Sequence, residues 1–212
     1  MSGAATDRRL SRKERELQFR VGIVLDAAEH VFAESSYAAC SVEQIAKRAE
    51  LSVGTLYNLF DSKEEIYTRV ISRVQTRFFD IMTGQVNEAR GPAEKVRATV
   101  VAHFEHFSRY IHHWRLYVSA SNGFQWELKS KLAEEASSSQ DEFIAKLSEI
   151  CQLGMDEGIF KTGIPADLVA LALIAVPHSF LVKLLYDETD DPMADLPAAI
   201  RLAERLVGID EG

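Results

Sequence analysis

The sequence predicts an all-α protein: a three-helix head followed by a helical-bundle body, about nine helices in all. Three observations lead there. No stretch shows a sustained alternation of β-branched residues. Ser-x-x-Gln and Ser-x-x-Glu patterns stand just before apolar runs, as helix-capping boxes do. Glycine and proline fall at intervals that punctuate helices. The 212 residues, 47% hydrophobic and 26% charged, can bury a core without disulfides or metals.

The elements follow in order. Ile23, Ala27 and Val31, with Val24, Ala28 and Phe32, recur at i, i+4 and i+8 and mark a first helix over roughly 12–35. Ser41-Val42-Glu43-Gln44 caps a short helix through about Ala49. Ser52 caps a second short helix through about Leu59. Ser62-Lys63-Glu64-Glu65 then opens a long helix with Ile66, Val70, Val74, Phe78 and Ile81 on one face, fading near Gly84. Pro92 restarts the chain at a first helical position, and that helix runs to about His112. A shorter helix covers Trp114–Ser121 and ends at Asn122-Gly123. A long one spans about Gln125–Glu157, with Gly158 as its C-terminal cap. Pro165-Ala166-Asp167 begins a strongly apolar helix to about Tyr186, kinked at Pro177. The last helix runs from about Met193 to Val207. The domain boundary is expected between residues 62 and 63, giving a head of 1–62 and a body of 63–212.

The net charge of −8 argues at first against nucleic acid, but it is unevenly spread. Residues 1–77 hold 12 Lys+Arg against 11 Asp+Glu, whereas residues 78–212 hold 12 against 21. Arg8, Arg9, Arg12, Lys13, Arg15 and Arg20 cluster at the start. A basic arm on a near-neutral head, with an acidic body behind, favours one docking orientation on DNA. No apolar run reaches the length of a membrane span, and no secretory leader is recognisable. Cys40 and Cys151 match no metal or redox spacing. A cytoplasmic protein with free thiols is expected.

Residues 41–63 carry the strongest signal. Ile45, Ala46, Ala49, Leu51, Leu56 and Phe60 supply the apolar side of two short helices joined by a tight turn. The outward face of the second helix is then Val53, Gly54, Thr55, Tyr57 and Asn58. Gly54 has no side chain, so the backbone can approach the floor of the major groove, roughly 12 Å wide.

The string from Ala49 to Glu65, behind the Ile23-to-Phe32 helix and Ser41-Val42-Glu43-Gln44-Ile45-Ala46, resembles the TetR family signature. The resemblance covers about residues 20–70 and implies a DNA-binding transcriptional regulator. It further implies that Ser41 and Ser52 meet phosphates at helix N-termini. Val53, Gly54 and Thr55 would meet base edges, and Tyr57 and Asn58 phosphates, with Asn58 also a base reader. Lys63 would grip a phosphate, and Lys47, Arg48 and the arm would add sequence-independent attraction. Two positions depart from the pattern. Glu50 stands where Gly is frequent; a left-handed residue with a side chain costs roughly 1–2 kcal/mol, which points to a turn of different shape. Asn58 stands where His is frequent.

The partners implied are a palindromic double-stranded DNA operator, a second copy of the chain and a small, largely apolar effector that releases a repressor. Two heads at roughly 34–36 Å supply the specificity that one lacks. The dimer would use the apolar helix and the last helix, through Leu173, Phe180, Leu181, Leu184, Leu202 and Leu206. An aromatic set, Phe78, Phe104, Phe107, Trp114, Tyr117 and Phe143, with His178, would line the ligand pocket. No catalytic residue, cofactor or structural metal is expected. The alternative is a regulator that senses metal, through His103, His106, His112 and His113, or thiol modification, through Cys40 or Cys151.

Overall fold

The computed structural model describes residues 11–35, 37–121, 126–185 and 191–209, with the side chains of 117–138 and 184–185 left aside. Among the described residues there are nine α-helices and no strand. They are α1 (Arg12–Glu34), α2 (Val42–Arg48), α3 (Val53–Tyr57), α4 (Lys63–Glu88), α5 (Gly91–Arg109), α6 (Ile111–Ser121), α7 (Trp126–Asp156), α8 (Ala166–Leu181) and α9 (Leu196–Leu206). Single 3-10 turns, Val182–Leu185 and Pro192–Asp195, follow α8 and precede α9.

The chain divides into two compact units, one through Val70 and one from Ile71. The expected boundary at 62/63 lies eight residues earlier. The difference has a packing cause: Ile66, Tyr67 and Val70 of α4 are buried, and the Tyr67 ring lies 5.0 Å from Phe32 and 4.9 Å from Tyr37. The opening turns of α4 therefore complete the core of the head.

In the head, α1 begins at a capping box: the Ser11 hydroxyl accepts from the Glu14 N–H, and Glu14 accepts from the Ser11 N–H. The Ser62 box is half formed. Ser62 accepts from the Glu65 N–H, but Glu65 reaches one residue further back, to the Asp61 N–H at 2.7 Å. Helix α4 runs on past Gly84 to Glu88, because Met82 and Val86 continue the buried stripe of Val74, Phe78 and Phe79.

In the body, α5 packs against α6, α7, α8 and α9. Its buried face holds Val96, Val100, Phe104 and Phe107 together with Thr99 and His103. Tyr110 breaks the chain at φ −128°, ψ 62°. Helix α5 thus ends at Arg109, and α6 starts at Ile111, earlier than expected, taking in His112 and His113. Gly158, at φ 71°, caps α7 as expected: its N–H donates to the Met155 carbonyl and that of Ile159 to Gly154. Helix α8 stays α-helical through Pro177 but tightens to 3-10 after Leu181, short of Tyr186. Arg97 of α5 pairs with Glu204 of α9, whose side chain is 8% exposed.

The apolar helix α8 divides its faces sharply. Val169, Ala170, Leu173, Ile174 and Leu181 are buried in the chain's own core, whereas Leu168, Leu171 and Val182 are 51%, 48% and 38% exposed. The expected interface set is corrected accordingly. Leu173 (0%) and Leu181 (1%) are core residues, because a helix apolar all round gives its most buried stripe to the monomer first. Phe180 and Leu206 are half-buried and Leu202 is 46% exposed. The Leu184 side chain lies outside the described set. No helix among the described residues is long and apolar enough to cross a membrane.

Candidate functional site

The head builds its exposed face from the backbone outward. The Ser41 hydroxyl accepts from the Gln44 N–H at 3.3 Å, and the Gln44 side chain accepts from the Ser41 N–H at 2.7 Å. Helix α2 ends in a Schellman turn: Leu51 N–H donates to the Ala46 carbonyl at 3.0 Å and Glu50 N–H to Lys47 at 3.3 Å. This turn needs a left-handed residue, and Glu50 supplies it at φ 56°. The expectation of a differently shaped turn is therefore corrected. Packing of α2 on α3 imposes the turn on a residue that resists it.

Ser52 caps α3, accepting from the Thr55 N–H at 3.1 Å and sharing a hydrogen bond with the Thr55 hydroxyl at 2.8 Å. Behind α3, Ile45, Ala46, Ala49, Leu56 and Phe60 are all buried. In front, Gly54, Asn58 and Ser52 are exposed, Val53 and Thr55 half-buried, and Tyr57 is 55% exposed. The five residues expected to meet DNA thus share the open side of one braced helix. Gly54 has room: a Cβ there would meet only Ser52 Oγ, at 3.8 Å. The fold does not require glycine at this position.

The basic residues divide. Lys47 is exposed, as is Arg48, which pairs with Glu34 at 3.1 Å. Arg12, Lys13 and Arg15 are exposed along the start of α1, while Arg8 and Arg9 lie outside the described residues. Lys63 has an internal occupation that the sequence did not announce. Its ammonium donates to the carbonyls of Tyr37 at 2.8 Å and Cys40 at 2.9 Å, and sits 4.4 Å from the Tyr37 ring centroid. It ties the start of α4 to the loop before α2.

Aromatic residues of the body form a packed cluster. Phe78 lies within 5.0 Å of the rings of Phe79, Phe107, His103 and His106. Phe107 meets Trp114 at 5.0 Å, Trp114 meets His178 at 5.2 Å, and Phe79 meets Phe143 at 5.7 Å. Phe104 is buried and stands 6.5 Å from Phe180. The Tyr117 side chain lies outside the described set. Histidines stand among these rings. His103, His106 and His113 are buried, and His106 Nε2 stands 3.1 Å from His113 Nδ1. Burial pushes His106 and His178 down to about 4 and holds His103 well below its usual range, so these three rings are neutral near pH 7. The sequence signal is His103 and His106 at i, i+3 on one face of α5.

Both cysteines are buried. Burial raises the Cys40 thiol against the pull of Lys63, and raises Cys151 to about 11. Both are thiols at neutral pH, and the reactive form is the thiolate. The thiol-sensing alternative finds no support.

A short helix braced from behind, capped at its start and bare on its outer face, defines a helix-turn-helix DNA-binding regulator. Residues 24–70 match the family described as bacterial regulatory proteins, tetR family, a match that falls on the head. It is 32% identical over 81 residues to the fatty acid metabolism regulator protein of Bacillus subtilis, covering 38% of this chain but 42% of that protein. It is 24% identical over 154 residues to the transcriptional repressor KstR2 of Mycobacterium tuberculosis, covering 73% and 76% of the two chains. The fold matches a crystal structure of FadR from Bacillus subtilis in complex with stearoyl-CoA at TM-score 0.73 and 22% identity, over 90% of this chain and 99% of that one. It matches KstR2, described as a ketosteroid transcriptional regulator, at TM-score 0.64 and 21% identity, over 89% and 93%.

Proposed function

We propose that this protein is a cytoplasmic repressor that binds a palindromic operator as a homodimer and leaves it when a small, largely apolar effector enters the body. The observation that carries the DNA half is the outer face of α3: Gly54 sits there with open space for a Cβ, flanked by Thr55, Tyr57 and Asn58. Val53 and the Thr55 methyl suit thymine methyl groups. Ser41 and Ser52 place helix N-termini toward phosphates, and Lys47, Arg48 and the start of α1 add charge.

The dimer half rests on the outward stripe of Leu168 and Leu171 of α8 with Val182 of the turn after it, and on Leu202 of α9. Four apolar side chains between about one-third and one-half exposed are suited to cover by a second copy. The effector half rests on the aromatic interior, and on relatives whose names refer to fatty acid and ketosteroid regulation. The chain passes from one unit to the other within α4. An effector that favours one position of α4 would change the separation of two heads, provided it binds the spread state better.

The test is selection of bound genomic DNA by the purified protein, followed by shift assays on the recovered site. A palindromic site is expected. Gly54→Ala should weaken binding about tenfold or more while the thermal midpoint holds or rises, because Ala is the better helix former by about 1 kcal/mol. Unchanged affinity in Gly54→Ala would remove α3 from the groove.

A further inference from the structure

His103 lies in α5 with a side chain that is 0% exposed. Its Nδ1 stands 2.7 Å from the Thr99 carbonyl oxygen. A carbonyl only accepts, so Nδ1 carries the hydrogen. Burial disfavours a second proton on the ring, and Nε2 is left as a lone-pair acceptor. Among the described residues, nothing donates to it. A buried acceptor left unmet is costly, whereas an apolar side chain of the same shape is often neutral or stabilising. The fold thus uses Nδ1 and, among the described residues, gives no use for Nε2.

The surroundings suggest a reason. The rings of Phe78 and His178 lie 5.0 and 5.2 Å from His103, each nearly perpendicular to it, and Phe107 lies at 6.4 Å. Trp114 closes the set against Phe107 and His178. Aromatic faces surround His103, with the ring nitrogens of His178 and Trp114 beside them, which suits a flat, largely apolar molecule bearing a hydrogen-bonding group. His178 follows Pro177, which removes a hydrogen bond from α8 at the point where this wall would have to part.

Taking the effector-sensing body as premise, we propose that His103 Nε2 is the polar anchor of the effector site, accepting a hydrogen bond from a hydroxyl group on a flat, largely apolar ligand stacked among Phe78, Phe107 and Trp114. An ether or a carboxylate at the same place offers no hydrogen and meets the lone pair head-on.

Equilibrium dialysis of the full chain without DNA tests this with three probes: 2-naphthol, 2-methoxynaphthalene and naphthalene-2-carboxylate. The wild-type protein should hold 2-naphthol about tenfold more tightly than either analogue. His103→Leu should bind naphthol and its methyl ether alike, with a thermal midpoint no lower than wild type. His103→Gln, which keeps an acceptor, should retain a preference for naphthol. Equal binding of naphthol and its ether by wild type, no naphthol binding, or a preference that survives in His103→Leu would each overturn the assignment. Because no DNA is present, such a failure leaves the operator-binding head untouched, while failure to recover an operator would strike the regulatory reading instead.

Discussion

The head and the body use polar side chains in opposite ways. In the head, Ser11, Ser41 and Ser52 each meet the N–H three residues on, so polarity sits at helix ends and the outer face of α3 is left bare. In the body, Thr99 lies buried, and His103, His106 and His113 lie buried against aromatic rings. Local capping lets a small unit hold a recognition surface still. Buried polarity in the larger unit comes at a cost in stability wherever a polar group is left unmet. The tryptophans, Trp114 and Trp126, both belong to the body, so their fluorescence follows its unfolding, while operator binding follows the head.

The largest expected effect strikes the body alone. Phe78→Ala empties the centre of the ring cluster and should cost about 3–5 kcal/mol, seen as an earlier tryptophan transition in urea. A loss below about 1 kcal/mol would mean that the cluster is not the core of this unit.

Acid should separate the units next. His106 and His178 are held near 4 when folded against a usual 6.5, so the unfolded chain takes up protons first as pH falls. The stability tied to neutral histidine is complete above about pH 6.5 and is lost progressively toward pH 4. It is on the order of 3 kcal/mol at most for each of His106 and His178. Groups that bear on His106 include His112, His113, Arg77 and Arg109, and those on His103 include His178 and His106. The head's one histidine, His30, is exposed. A tryptophan midpoint that does not move between pH 6.5 and 4.5 would remove this contrast.

Smaller changes probe the head. Lys63→Met removes two charge-assisted hydrogen bonds to carbonyls and should destabilise the head by about 1–3 kcal/mol. It also separates two roles. If Lys63 only ties the loop, the salt dependence of operator binding keeps its slope; if it also meets a phosphate, the slope falls by about one unit per head. The smallest effect is a gain. Glu50→Gly relieves a left-handed side chain and should stabilise the head by up to about 1 kcal/mol, after the extra chain entropy of glycine is offset. A loss would show that the Glu50 side chain has work elsewhere.

Much of the architecture was readable before any contact was known. Caps and turns act over three or four residues, so the start of α2, the start of α3 and the Gly158 stop stood in the sequence at the right places. The open side of α3 was equally legible, because its inner positions, Leu56 and Phe60, had apolar partners in Ile45, Ala46 and Ala49 only a few residues away.

What separated residues do together was decided by the tertiary structure. The carbonyls that hold Lys63 lie 23 and 26 positions back. His103 meets His178 from a different helix. The apolar sequence of α8 could not choose which stripe to bury, and packing against α5, α7 and α9 took Leu173 and left Leu171 outside. Even Glu50 shows the division: local preference argues against its left-handed turn, and the contact of two short helices overrides a cost of roughly 1–2 kcal/mol. Periodicity and capping are short-range and written in order along the chain. Burial and partnership depend on which surfaces meet, which no single segment encodes.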